Sequence, residues 1–221
     1  MLMTISAAWA APAEMNLKVA EPGASTEWTI GATNTVKWSF RGEPGQTVLI
    51  RLQRVGWVNV QKILAEAAPI GANRSGTFKW QTPADLPPGD DYSVTVMAEN
   101  GLSDTSELFK LTAGKTPVNK LSLDSLPKGG DKWTPGSKVV IRWSYAGDPG
   151  PNVKVALIKM DEGAVTVLAP SVPTGSGGKG SMEWTVLPLK PGTDYYIGIV
   201  SNTNAFFQDK GKSPVAIGAS K

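Results

Sequence analysis

The sequence LKPGTDY occupies positions 189–195, and a related sequence, LPPGDDY, occupies positions 86–92. Each places a Pro-Gly turn shortly before a tyrosine, Tyr195 or Tyr92, and an alternating apolar run follows each tyrosine. This layout is typical of a tyrosine corner, in which the phenol hydroxyl bonds back to the backbone where the chain crosses between two sheets. Two such corners predict two β-sandwiches.

The regions around the two corners repeat each other. Three tryptophans and a Pro-Gly pair recur at a nearly constant offset, with small shifts at the loops. The matched pairs are Trp28 with Trp133, Trp38 with Trp143, Trp80 with Trp184, and Pro44-Gly45 with Pro149-Gly150. Fixed spacing within strands and small slips in loops are what a duplicated domain produces. We therefore predict an all-β protein with two tandem immunoglobulin/fibronectin III-like β-sandwich domains.

The amino-acid composition agrees with this fold and argues against several classes of function. The 221 residues suit two domains of about 100 residues each, and the 24 Gly and 17 Pro suit a turn-dense β protein. The sequence has no Cys and no His, which rules out disulfides and removes the commonest general base and metal ligand. The net charge of +3 lacks the dense basic stripe of a nucleic-acid groove. We expect neither an enzyme, nor a cofactor or metal, nor a nucleic-acid partner.

The predicted domain boundaries follow the repeat. Residues 17–113 form the first sandwich, 114–117 a linker and 118–221 the second sandwich. Residues 1–16 are predicted to be a signal-peptide remnant or an N-terminal extension, because an apolar start ends in the A-x-A pattern of a cleavage site. No basic residue precedes that start, so a docked or disordered terminus is the alternative. No stretch is long enough to span a membrane. The short linker contains Pro and predicts a semi-fixed end-to-end arrangement.

The repeated pattern also resembles a known family. Each copy has a Trp before a Gly, an apolar-x-Trp strand, Gly-x-Pro-Gly, Gly-x-x-x-Trp and Pro-Gly-x-Asp-Tyr. This pattern resembles the Ig-like domain of the fungal cell-wall β-glucan-assembly family and of Ser/Thr-rich GPI-anchored membrane proteins. The resemblance implies an exported, surface-associated, non-catalytic setting and carries over no active-site residue. The chain lacks the Ser/Thr-rich stalk and the apolar C-terminal tail, so we expect no GPI anchor.

Most of the aromatic residues are predicted to be structural. Four tryptophans lie on the apolar phase of alternating strands, where packing in the core is the expected role. They are Trp38, Trp80, Trp143 and Trp184. Trp28 and Trp133 precede a Gly turn and are expected at the edge of each core.

Three aromatic residues that lack a counterpart in the other copy are the candidate contacts with a ligand or partner. Trp57 lies beside Gly56 at a predicted hairpin, where it either packs or stacks on a sugar or a partner protein. Phe206 and Phe207 lie in the loop before the last strand. Adjacent residues of an extended segment point to opposite faces, so one of the two phenylalanines is expected to be exposed.

The acidic residues near the two corners and one glycine-rich segment are predicted to have structural roles. Asp90, Asp91 and Asp194 are too few and too closely tied to turns for a calcium loop, so turn capping is expected. The glycine-rich segment 175–180 lacks the spacing of a phosphate loop and is predicted to be a flexible hairpin loop.

These features predict a non-catalytic extracellular or cell-surface module for structure or adhesion, acting through protein or polysaccharide contacts. One alternative is a carbohydrate-binding module that stacks sugars on Trp57 or on Phe206 and Phe207. Another is a subunit of an extracellular filament or homo-oligomer, in which the segment before Leu17 pairs with a neighbour's sheet edge.

Overall fold

The computed structural model describes residues 15–114, 119–125 and 132–219, and all the regular structure in them is β. The predicted export segment, apart from residues 15 and 16, and most of the predicted linker lie outside the described residues. In the described part of the chain there is no helix that could cross a bilayer.

The first sandwich, within residues 15–114, has nine strands. Their bounds are β1 Asn16–Glu21, β2 Glu27–Thr29, β3 Thr33–Arg41, β4 Thr47–Val55, β5 Asn59–Pro69, β6 Ser75–Gln81, β7 Gly89–Ala98, β8 Ser103–Thr105 and β9 Phe109–Thr112. The smaller sheet has the order β1-β3-β6, and the larger has the order β2-β9-β7-β4-β5, with β8 also paired to β7. All of these pairings are antiparallel except that of β2 with β9.

The second sandwich, within residues 119–125 and 132–219, repeats this plan. Its strands are β10 Lys120–Ser125, β11 Lys132–Trp133, β12 Lys138–Ala146, β13 Asn152–Lys159, β14 Ala164–Pro173, β15 Lys179–Thr185, β16 Gly192–Ser201, β17 Gln208–Lys210 and β18 Val215–Ile217. The smaller sheet has the order β10-β12-β15, and the larger has the order β11-β18-β16-β13-β14, with β17 also paired to β16. The predicted all-β fold of two Ig-like sandwiches is therefore confirmed.

Each core is built around one tryptophan that faces a glycine on the neighbouring strand. Trp38 of β3 is opposite Gly76 of β6, and Trp143 of β12 is opposite Gly180 of β15. A Cβ atom at either glycine would overlap the indole ring. The indole N–H of Trp38 donates to the carbonyl of Ile70 at 2.9 Å, and that of Trp143 makes the corresponding bond. The glycine of the repeated Gly-x-x-x-Trp pattern is therefore explained by the close contact of its strand with the indole ring of Trp38 or Trp143.

The remaining structural aromatics also lie where the pattern predicts. Trp80 and Trp184 are buried, and each packs against the tryptophan expected at the core edge. Both tyrosine corners form, since the hydroxyls of Tyr92 and Tyr195 each donate to a carbonyl five residues earlier at 2.7 Å. Each bond satisfies a hydroxyl whose burial without a partner would cost about 1–3 kcal/mol.

Candidate functional site: the junction between the sandwiches

Phe206 belongs to the second sandwich but packs into the core of the first. It lies in the loop between β16 and β17, and its side chain is only 6% exposed. Its ring is nearly parallel to that of Tyr92, with 6.2 Å between centroids and an angle of 7°. The guanidinium of Arg54 donates to the Phe206 carbonyl. The tyrosine corner of the first sandwich thus forms the surface against which this loop packs.

Phe207 points the opposite way and is 1% exposed in the core of the second sandwich. The expectation that one of the two phenylalanines is exposed is therefore wrong. The two rings do point in opposite directions, as predicted, but a sandwich lies on each side of this loop, so both rings are buried.

Trp57 completes the contact from the other direction. It lies in the turn between β4 and β5, and its indole N–H donates to the carbonyl of Ile199 at 3.0 Å. Its ring covers Gly198, where an added Cβ atom would come within 2.8 Å of the indole carbons. The ammonium group of Lys154 lies 5.8 Å from the ring centroid, within cation–π range. The hydrogen bond and the ring contacts of Trp57 are therefore made with the second sandwich.

The side chain of Gln208 ties the same turn to β17. Its carboxamide accepts a hydrogen bond from the Val58 N–H at 3.0 Å and donates to the Val58 carbonyl at 2.7 Å. A side chain at Gly56 would collide with this amide. The Gln208 side chain thus pairs with both backbone groups of Val58, as a neighbouring strand would, and holds the turn against the second sandwich.

The junction covers part of the outer face of the larger sheet of the second sandwich. Ala156, Gly198 and Val200 on that face are buried although the core lies on the other side. The corresponding residues of the first sandwich include Arg51 and Thr95, which are partly exposed. The corner end of the first sandwich thus rests on a face of the second, and the expected end-to-end arrangement is corrected to end-to-face.

A buried cation lies over each corner tyrosine. Arg54 forms a two-oxygen ion pair with Asp91 at 3.0 Å, and its guanidinium carbon is 5.4 Å from the Tyr92 ring centroid. Lys159 makes the matching contacts with Asp194 at 3.0 Å and with the Tyr195 ring at 5.3 Å. The expected turn-capping role of Asp91 and Asp194 is therefore incomplete, because both carboxylates neutralise cations. Among the described residues, no group of three or more acidic side chains is placed to hold a metal ion.

These contacts shift the acid–base properties of the corners. Burial raises the pKa of the Tyr92 hydroxyl well above its usual value of 10.0. Hydrogen bonding to Asp161 and Asp194 raises the pKa of Lys159. Hydrogen bonding to Asp161 and to Lys159 lowers the pKa of Asp194 to about 2. At neutral pH Lys159 and Asp194 are therefore charged, and both tyrosines are neutral hydrogen-bond donors.

The two corners have diverged in what covers them. In the second sandwich the hairpin after Lys159 carries Asp161 and Glu162, which both contact its ammonium group. Glu162 also binds Lys190, and that hydrogen bond lowers the pKa of Glu162. The matching place in the first sandwich holds Trp57, which reaches across to the second. The corner of the first sandwich contacts the second sandwich, whereas the corner of the second sandwich is covered by Asp161 and Glu162 of its own hairpin.

A groove of about 530 Å³ runs along the exposed side of the junction. Val55 and Trp57 of the first sandwich and Ile158, Met160 and Val165 of the second line its apolar part. In the described part of the chain, no buried side-chain nitrogen or oxygen lacks a hydrogen-bond partner. The geometry therefore defines a domain–domain contact with an apolar groove beside it, and the protein class is a tandem Ig-like protein.

Comparison with known proteins agrees with that class. The model of the Kre9/KNH-like N-terminal Ig-like domain matches residues 21–111 and again residues 126–208. Because the two matches span most of the chain, the protein belongs to this family and carries two copies of its domain. The family relates to cell-wall glucan assembly in fungi. A search of curated proteins found no match.

Two solved structures were also similar. One is an ICAM-5 D1-D4 ectodomain fragment, with 15% identity, a TM-score of 0.33 and coverage of 92% of this chain, which spans 54% of that fragment. The other is the two tandem V-type regions of VCBP3, a v-region-containing chitin binding protein, with 12% identity and a TM-score of 0.33. That match covers 91% of this chain and 99% of the other.

Sequence reasoning missed the receiving surface, although a signal for it exists. The segment 153–159, VKVALIK, loses its alternation at Ala156 and Ile158, whereas the matching segment 48–54 has polar Arg51 and Gln53 there. Apolar residues on both faces of a strand indicate that both faces are covered. The comparison of the two copies, position by position, could have located the covered face.

Proposed function

We propose that this protein is a non-catalytic, exported module that serves a structural or adhesive role at the cell surface, through contacts with proteins or polysaccharides. Family membership supports a cell-wall setting. Ig-like domains of this family are typically non-catalytic.

The junction is the observation that carries this proposal. Phe206 on Tyr92, Trp57 on Gly198 and the paired Gln208 amide join the sandwiches through contacts from both sides. Such a contact limits relative motion that a linker alone would allow. Two sandwiches with a fixed spacing present their outer surfaces in one geometry, which strengthens binding to a repetitive surface through effective concentration.

The alternative of a carbohydrate-binding module is less well supported by the placement of the aromatic residues. It assigned sugar stacking to Trp57 or to the two phenylalanines, and both phenylalanines are buried. A stacking platform needs an aromatic face open to solvent. We therefore propose that the partner of Phe206 and Trp57 is the other sandwich, and that external contacts use other surfaces.

The test combines location with binding. An epitope-tagged chain is expressed in the native organism, and intact cells are treated with protease before fractionation. We expect the protein to be removed by protease and to co-fractionate with the wall or extracellular material. Retention inside intact cells would contradict the proposal.

Purified protein is then sedimented with insoluble β-glucan, chitin and cellulose, and separately with a wall extract freed of polysaccharide. Binding to any of these that weakens in Gly198→Thr, which opens the junction, supports a role for fixed spacing. Saturable polysaccharide binding that is lost in Trp57→Ala but kept in Gly198→Thr would favour the carbohydrate-binding module instead.

A further inference from the structure

The outer edge of the larger sheet in the second sandwich is open. Strand β14 ends the order β11-β18-β16-β13-β14, and within the described residues no strand pairs with its other side. Val165 is 52% exposed and Val167 is 48% exposed on this strand. An edge strand presents a row of free N–H and C=O groups, which is a template for pairing with another chain.

Residues 164–167 of this edge lack the protection that natural edge strands usually carry, since the register of β14 against β13 shifts only beyond Val167. The segment 164–169, AVTVLA, has no charged residue, no Pro and no Gly, and it is rich in β-branched side chains. Charged side chains, especially Lys, are the common means by which an edge strand avoids pairing. The two prolines of the strand, Pro170 and Pro173, lie beyond this segment.

The first sandwich shows what a protected version looks like. Strand β5 occupies the same place in its sheet and has Lys62 opposite Leu52, where β14 has Thr166 opposite Leu157. It also carries Glu66, two residues after the central Leu64 of the strand. The central part of the β5 edge therefore carries a charged residue, whereas the central part of the β14 edge carries none.

We infer that β14 is a pairing edge for a second copy of this chain, through antiparallel contact of β14 with β14. A two-fold axis at Thr166 places Val165 opposite Val167 of the second copy on the outer face, so that exposed valines meet valines. The absence of charge means that no like charges face each other across the axis. Val165 also lines the apolar groove, so the new contact continues the face already covered at the junction. This inference goes beyond the proposed function, which does not require self-association.

The experiment compares the mass of the native chain and two exchanged variants by light scattering and sedimentation, from low micromolar to near-millimolar concentration. We expect the native chain to move from monomer to dimer as concentration rises. Thr166→Lys installs the residue of the first sandwich and should remain monomeric, because two ammonium groups would meet at the axis. Lys62→Thr, the reverse exchange in β5, leaves β14 unchanged and should dimerise at least as readily as the native chain.

A cross-link gives a second measurement that does not depend on weakening the contact. The chain has no Cys, so Thr166→Cys introduces a single thiol. Facing residues of antiparallel strands have Cα atoms about 4.5–5.5 Å apart, within the range for a disulfide. We expect mild oxidation to give a covalent dimer with Thr166→Cys and not with Ile63→Cys. A native chain that stays monomeric throughout, or a Thr166→Lys variant that dimerises equally well, would overturn the inference.

Discussion

Replacement of Phe206 by Ala should undock the two sandwiches without unfolding either of them. The side chain is 6% exposed and is stacked on Tyr92. Full burial of a Phe side chain is worth about 1.5–3 kcal/mol, and an aromatic pair adds about 0.5–1.5 kcal/mol. The docking equilibrium constant should therefore fall by between about thirtyfold and about 1,600-fold, since 1.4 kcal/mol is tenfold.

Spin labels can report this change, because the native chain has no Cys. Lys79→Cys in β6 and Glu183→Cys in β15 are exposed positions at matching places in the two sandwiches. We expect a single narrow distance distribution between the labels in the otherwise native chain. In Phe206→Ala we expect a broad distribution, while the thermal unfolding of the second sandwich changes little.

Phe207→Ala is the matched control. Its ring is buried in the core of the second sandwich, so the substitution should cost about 3–5 kcal/mol of unfolding free energy. The label distances should stay narrow under conditions in which this variant is folded. An equally narrow distribution in Phe206→Ala would refute the assignment of docking to that residue.

Three further changes test other contacts. Tyr92→Phe should lower the free energy of unfolding by about 1–3 kcal/mol in urea titrations, and more than Tyr195→Phe, because the Tyr92 bond is fully buried. Asp194 has a folded pKa of about 2, below its ordinary 3.8, so its stabilising contribution is complete above about pH 4 and is lost as the pH falls toward 2. Asp194→Asn should remove that part of the acid dependence of the urea midpoint. Gly198→Thr, which places the first sandwich's residue under the Trp57 ring, should raise the solvent exposure of that indole in fluorescence quenching.

The fold could be predicted from the sequence because its determinants are local and doubled. Trp38 and Trp143 alternate with polar residues on one strand, and each corner tyrosine follows its turn within a few residues. A duplicated pattern also fixes which positions tolerate no change, as Gly76 and Gly180 show by their contact with the core tryptophans.

The junction could be predicted only in part. Trp57 and Phe206 stand out in the sequence because they lack counterparts, but a single unmatched aromatic does not say whether its partner is external or another domain of the same chain. The pairing of Asp91 with Arg54 joins two strands far apart in sequence, so turn chemistry alone suggested a cap. Local patterns specify local structure, whereas contacts between domains depend on two surfaces at once.

Nuclear Overhauser contacts across the junction test the central claim most directly. In isotope-labelled protein we predict contacts between the Phe206 and Tyr92 rings and between the Trp57 indole and the Gly198 α-protons, with one rotational correlation time for both sandwiches. Separate correlation times, together with the absence of both sets of contacts, would contradict the account.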